Sequence, residues 1–332
     1  MISKSLLKSL LVRFSGYEAY KWFTRKNALY CFNYHRIGDC TLTPFDPNIY
    51  SCTVEQFREQ LRFIKAHFQV ITLEEALLLA SNKSPLDKRY ALITFDDGYI
   101  DNYVEAYPVL KEEKISAAFF IPTDYIDSGH IPWWDEIAWM LKNTTKKTFN
   151  FAGKHTIDLT ESKQYKVIRN FLTLIKSDPR SMDEKMLELK TKLACEFSVN
   201  PKDKSLFVSW SQIKEMKLGG MSIGSHTCSH SILTHIDKDS QLLELSKSKQ
   251  CLEQHLSCNI DSIAYPVGQR NTFNDDICEM TASLGYKMGF TFTNAINDFP
   301  IDDPFKISRL GIDNHPSLMA LKQKIIMSGK LD

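Results

Sequence analysis

The sequence predicts an α/β chain of parallel β/α units whose strands end around one site, as in a β/α barrel. Three observations predict it. First, an almost unbroken apolar run from Tyr90 through Phe95 stops abruptly at Asp96, Asp97 and Gly98, as expected of a parallel strand covered on both faces. Second, a helical pattern over 101–113 is followed by an apolar stretch over 117–121 that ends at Pro122. Strand, helix and strand within about 30 residues make a parallel βαβ unit. Third, four inferred strand ends carry the chemically unusual residues: His35, Asp96 with Asp97, His226 with His230, and Tyr265 with Pro266. Functional groups of β/α barrels gather at the C-terminal strand ends.

Composition supports one large folded unit or two smaller ones. With 332 residues and 43% hydrophobic content, the chain can bury a sizeable core, which excludes a disordered protein. Lysine and arginine number 41 against 40 acids, a net charge of +1, so no nucleic-acid partner is expected. The eight cysteines (31, 40, 52, 195, 228, 251, 258 and 278) form no C-x-x-C pair, and read as reduced thiols. No apolar run approaches the roughly 18 residues of a membrane span, and the N-terminus lacks the pattern of an export signal. The expectation is a cytoplasmic protein, with the inner face of the membrane as the one alternative placement.

In chain order, residues 1–28 form the first segment. Leu6, Leu7, Leu10, Leu11 and Phe14 fall at helical spacing, and Lys4, Lys8, Arg13, Lys21, Arg25 and Lys26 outnumber the lone acid Glu18. Such a basic amphipathic helix packs on its own domain or, through residues 1–26, lies on an anionic membrane surface. A first barrel part over 29–132 follows, beginning with a strand over 29–34. Thr53 with Gln56 and Thr72 with Glu75 have capping-box spacing, which predicts helices over 54–67 and 73–81. The segment 133–205 breaks the rhythm as a mostly helical insertion. It opens on Trp133, Trp134 and Asp135, turns a hairpin at Ala152-Gly153-Lys154, and continues through helical stretches over 161–177 and 181–197. Trp133 and Trp134 read either as packing residues or as rings for a sugar face. A second barrel part over 206–332 resumes with a helix over 209–218 and strands over 221–224 and 262–265.

Asp96 and Asp97 would repel in a low-dielectric site unless solvated or neutralised by a cation. A solvated helix cap and a metal site both remain open from those residues alone. His226 and His230, four apart, would share a face if the segment made a helical turn. Imidazole suits zinc, and a catalytic zinc takes three protein ligands and an open position. Thr227 after His226 excludes the H-E-x-x-H arrangement, and Cys228 reads as a bystander.

The motifs T-F-D-D-G (94–98), S-H-T-x-S-H (225–230) and A-Y-P-V-G (264–268), in this order, resemble the first three motifs of the polysaccharide deacetylase family, the NodB-type carbohydrate esterases. The resemblance spans roughly residues 29–312. It implies a distorted, incomplete (β/α) barrel with a divalent metal, usually zinc, that removes acetyl groups from acetylated sugars. It implies Asp97, His226 and His230 as ligands, Asp96 as general base, and the Val267 backbone N–H as an oxyanion donor. Tyr265 and Pro266, with Trp133 and Trp134, would meet the substrate. Two departures stand out. Ala264 stands where many members have arginine and Val267 where they have an aromatic residue, leaving Arg309, Arg270 or Arg36 to supply the charge. The late leucine-plus-histidine motif is not recognisable, which leaves His35 and His315 as candidates for the general acid. The expected partner is an acetylated sugar, glycan or lipid-linked saccharide. Alternatives are a sugar-binding protein without turnover, and a deformylase acting on a lipid-linked amino sugar.

Overall fold

The computed structural model describes residue 16 and residues 19–81, 83–195, 197–198, 206–313 and 316–328. Its strands are β1 (Leu29–Tyr34), β2 (Arg36–Ile37), β3 (Tyr50–Cys52), β4 (Gln69–Val70), β5 (Tyr90–Phe95), β6 (Ala118–Ile121), β7 (Thr148–Phe151), β8 (His155–Asp158), β9 (Ser222–Ser225), β10 (Ser262–Ala264), β11 (Met288–Phe290) and β12 (Leu310–Gly311). The main sheet runs β11-β10-β9-β6-β5-β1-β12, with β4 beside the start of β5, and all its pairings are parallel. The sheet curls until one segment touches both ends. Ile307 bridges Phe290 of β11, and three residues on, β12 pairs with Phe32 and Asn33 of β1. This is the expected distorted barrel, with a two-residue strand at its seam.

The helices are α1 (Val54–His67), α2 (Leu73–Ala80), α3 (Tyr107–Glu113), α4 (Trp133–Asn143), α5 (Gln164–Ser177), α6 (Met182–Leu193), α7 (Trp210–Leu218), α8 (Lys238–Leu256), α9 (Asp275–Ser283) and α10 (Leu318–Met327). Thr53 with Gln56 and Thr72 with Glu75 form capping boxes, so side chains satisfy amide groups that the first helical turn leaves unpaired. The stretch expected as helix over 101–113 is divided: Asn102–Ala106 is a π turn and only Tyr107–Glu113 is α-helical. The helix expected to reach 197 stops at Leu193, where Ala194 turns left-handed (φ 46°).

Alternation along the strands sorts the core into two layers. Tyr34, Phe95 and Phe119 stack in series, with ring centroids 5.4 and 4.8 Å apart, and face the helices with Phe57 of α1. Leu29, Cys31, Leu92, Phe120, Ala264 and Phe290 belong to the other cluster, which fills the barrel. That inward register continues past the apolar layer to Asn33, Thr94 and Asp96, so the polar site is the upper floor of the barrel interior. The insertion covers this end with α4 and α5, on which α6 and the β7–β8 hairpin pack. The basic helix expected over 1–26 lies mostly outside the described residues. Its described end packs on the barrel through buried Trp22, which meets Phe63 and His67 at 5.4 and 5.0 Å. No helix among the described residues is long and apolar enough to cross a membrane.

Candidate active site

At the end of β5 the chain must turn sharply. Asp97 (φ 73°) and Gly98 (φ 67°) are consecutive left-handed residues. At Gly98 an added Cβ would sit 3.0 Å from Ile121 Cδ1 in a conformation that L side chains rarely adopt. The turn aims Asp97 across the mouth of the barrel at two imidazoles. Asp97 Oδ1 lies 3.5 Å from His226 Nε2 and 3.4 Å from His230 Nε2, and all three side chains are buried. Burial pushes the Asp97 carboxyl up, but His226, His230 and His35 outweigh it and hold it below the ordinary value.

The histidines do not come from one helical turn, as their spacing suggested. They sit on an irregular loop in which Thr227 (φ 64°) and His230 (φ 56°) are left-handed. Glu244 of α8 clamps that loop, accepting from the Cys228 and Ser229 backbone N–H groups at 2.8 and 2.9 Å. Short polar residues and a half-buried carboxylate thus replace helical periodicity. His226 Nδ1 lies 2.7 Å from the Ala264 carbonyl; donating there leaves its Nε2 lone pair facing Asp97. His230 is held neutral, its pKa pushed down to about 3 by burial and by His226 beside it.

These residues fit a divalent cation. Among the described residues Asp97 Oδ1 is buried without a hydrogen-bond partner, a costly state that a cation would relieve. The separations of 3.4 and 3.5 Å match the edge of a tetrahedron of ligands about 2.0–2.1 Å from zinc, roughly 3.3–3.4 Å. Asp97, His226 and His230 also offer ligand atoms all within 4.8 Å of one another.

Asp96 faces a different environment. Arg309 grips it in a bidentate pair, Nη1 to Oδ1 at 2.7 Å and Nη2 to Oδ2 at 2.8 Å, and Asn33 Nδ2 donates to Oδ2 at 3.1 Å. Burial works to raise this carboxyl, but Arg309 prevails and holds it well below the usual range. Three donors occupy three of its roughly four acceptor positions and leave about one free. His35 Nε2 stands 4.0 Å from Oδ2, its side chain 21% exposed at the cleft. Of the three arginines considered from sequence, Arg309 meets Asp96, Arg36 binds Asp101 at 2.7 Å, and Arg270 is exposed.

A cleft of about 290 Å³ opens over this centre, lined by His35, Asp96, Asp97, His226, His230, Trp133, Trp134 and Val267. Trp134 packs its ring 4.5 Å from that of His230. Val267 is left-handed (φ 62°). Helix α5 contributes Arg169, Thr173 and Lys176, on one helical face at i, i+4 and i+7. Tyr265 and Pro266 do not reach the cleft, contrary to expectation. The Tyr265 ring is fully buried against Phe273, with centroids 5.0 Å apart, and its hydroxyl faces Cys278 Sγ at 3.7 Å. The turn at Val267 makes it the first residue after β10 to face the cavity. Cys228 Sγ points at backbone carbonyls of α8. His315 lies outside the described residues. Sequence reasoning missed Asn33 and Lys176; the inward alternation of β1 was the available signal for Asn33.

The model of the polysaccharide deacetylase family matches residues 83–289. YxkH of Bacillus subtilis (strain 168) is 27% identical over 239 residues, 71% of this chain and 57% of its own length. The chain therefore spans little more than half of that relative. The poly-beta-1,6-N-acetyl-D-glucosamine N-deacetylase of Staphylococcus aureus (strain MRSA252) is 25% identical over 277 residues, 80% of this chain and 73% of its own length. Among solved structures, the Streptococcus pyogenes deacetylase PplD in complex with acetate shares the fold, with a TM-score of 0.58, 22% identity and coverage of 90% of this chain and 99% of that one. IcaB from Ammonifex degensii does so at a TM-score of 0.55 and 18% identity, covering 92% and 98%. A family match that begins before Asp97 and runs beyond the loop of His226 and His230 places this chain in the polysaccharide deacetylase family.

Proposed function

We propose that the chain is a metal-dependent hydrolase that removes the acetyl group from an N-acetylated amino sugar within a glycan. The observation that carries the reading is the buried Asp97 Oδ1, without a hydrogen-bond partner among the described residues, facing two imidazole nitrogens at 3.4 and 3.5 Å. The names of the relatives, a poly-N-acetylglucosamine N-deacetylase and an acetate-bound deacetylase, support the substrate class.

Asp97, His226 and His230 would hold the metal. When bound, the metal supplies Lewis acidity toward the acetamide carbonyl and lowers the pKa of water at the site to about 7. The chain's own residues do the rest. Asp96, kept ionised by Arg309, has one acceptor position free to take a proton from the attacking water, and Asn33 fixes the plane of that carboxylate. The turn at Val267 brings its backbone to the cleft wall, where an N–H would stabilise negative charge developing on the carbonyl oxygen. His35, 4.0 Å from the Asp96 carboxylate, would donate a proton of its own to the departing amine, and the proton held by Asp96 would then pass back to His35 so that both groups are restored. Trp134 shields the His230 side of the centre from water.

The test pairs metal analysis with acetate release from N-acetylglucosamine oligomers. Asp97→Ala, His226→Ala and His230→Ala should lose metal and turnover together, whereas Asp96→Asn should keep the metal and lose turnover by about 100-fold or more. An Asp96→Asn protein with full activity would contradict the assignment.

A further inference from the structure

The stretch from His226 to Ser231, which carries both candidate ligand histidines, is neither helix nor strand, so something other than a regular backbone ladder must fix its shape. Thr227 (φ 64°) and His230 (φ 56°) are left-handed, a conformation that a β-branched residue and an imidazole keep only where the surroundings over-determine it. The carbonyls of this loop are held from the end of β6. The Thr123 N–H donates to the Thr227 carbonyl at 3.1 Å and the Asp124 N–H to the Cys228 carbonyl at 3.0 Å. The Tyr125 hydroxyl donates to the Ser229 carbonyl at 2.9 Å.

The N–H groups of Cys228 and Ser229 turn the other way and meet one half-buried residue of α8. Glu244 Oε2 accepts from both, at 2.8 and 2.9 Å, and Oε1 accepts from the Ser229 hydroxyl at 2.5 Å. Two successive N–H groups aimed at one anionic oxygen make a backbone nest, and hydrogen bonds to an ionised acceptor are stronger than neutral ones. None of these bonds involves the imidazole nitrogens that face Asp97. The loop therefore takes its shape from β6 and Glu244, and not from what those nitrogens hold. A loop already in its binding shape removes an ordering cost from whatever binds there, and affinity rises with the fraction of protein in that shape.

We propose that Glu244 is the positioning residue of the metal centre. It holds residues 226–231 in their ligating shape in the metal-free protein, and so sets how tightly the metal is bound and not how fast the loaded protein turns over. For its affinity claim this inference rests on the reading of Asp97, His226 and His230 as metal ligands; the preformed loop does not depend on that reading.

Zinc affinity of the full chain is measured by competition with a chromophoric chelator, beside hydrogen exchange of the metal-free protein. In Glu244→Ala the dissociation constant should rise about 10- to 100-fold, and exchange at Cys228 and Ser229 should quicken while β6 and β9 stay protected. Glu244→Gln keeps one carbonyl oxygen for the two N–H groups, so its affinity should lie between those of the wild type and Glu244→Ala. At saturating zinc, acetate release by both variants should return to within about threefold of the wild type. A dissociation constant or an exchange rate unchanged in Glu244→Ala, or turnover that stays low at saturating zinc, overturns the proposal. If Glu244→Ala does not fold, Glu244→Gln decides it: weaker zinc binding supports the role, and unchanged binding overturns it. A wild type that takes up no zinc would end the metal reading instead. Exchange then still decides the loop: protection at Cys228 and Ser229 that Glu244→Ala loses supports the preformed shape, and no protection in the wild type overturns it.

Discussion

Arg309 decides how Asp96 behaves. A carboxylate that is 3% exposed would otherwise be driven toward its neutral form, and the bidentate guanidinium reverses this. Replacing Arg309 by Met strands a buried charge beside one neutral amide, Asn33, at an expected cost of about 3–5 kcal/mol in urea unfolding. Asp96→Asn in the same chain should recover part of the loss, and an Arg309→Met protein as stable as wild type would show the pair to be slack. The candidate metal ligands were legible in the sequence because D-D-G and H-x-x-x-H, ambiguous each by itself, stand in the order that the family resemblance requires. Arg309 was not, because choosing it over Arg36 and Arg270 depends on β12 lying beside β1, a pairing across nearly the whole chain. Tyr265 and Pro266 were misplaced for a related reason: a three-residue strand is too short for alternation to reveal which residue after it turns inward.

At the scale of elements, a buried acid at the start of α4 helps tie the insertion to the barrel. Asp135 accepts from the Asp46 backbone N–H at 3.1 Å and the Tyr99 hydroxyl at 2.8 Å, and Tyr99 accepts from Trp134 Nε1 at 2.7 Å. The chain of bonds orients the ring that covers His230. Burial raises the Asp135 carboxyl to about 7 against the opposing pull of Arg36. A folded-state value above the unfolded one, about 3.9, means the native chain holds the extra proton between about pH 4 and pH 7. The associated stability is full below that window, is lost as pH rises through it, and amounts to roughly 2–4 kcal/mol. The wild-type melting temperature should therefore fall more from about pH 5 to about pH 8 than that of Asp135→Asn; parallel curves would remove the buried proton. The sequence showed α4 by its pattern and the two tryptophans by their type. It could not show that the third residue, an ordinary first-turn acid by its position, is fully buried.

For the whole molecule, the active site and the seam of the barrel are one problem. The residues that form the apolar strands and capped helices announce themselves locally, so most elements were readable. A strand of two residues does not, and the family match ends at 289, before the seam. The seam is held by Asn297. Its Nδ2 donates to the Leu29 and Ser308 carbonyls at 3.1 and 2.9 Å, its Oδ1 accepts from the Ser308 N–H at 2.7 Å, and its backbone pairs with Leu29 in both directions at 3.0 Å. One amide thus joins the first strand to the segment that carries Arg309 to Asp96. Asn297→Ala should cost about 2–4 kcal/mol, since it leaves partly buried backbone groups unpaired. Hydrogen exchange should quicken first at 289–291 and 307–311, while β5, β6 and β9 stay protected. No proposed metal ligand lies on the seam, so metal occupancy should hold while turnover falls, because Arg309 no longer pins Asp96, the proposed base. Uniform loss of protection with parallel loss of metal would mean instead that the barrel opens as a single unit and that the seam has no separate hold on catalysis.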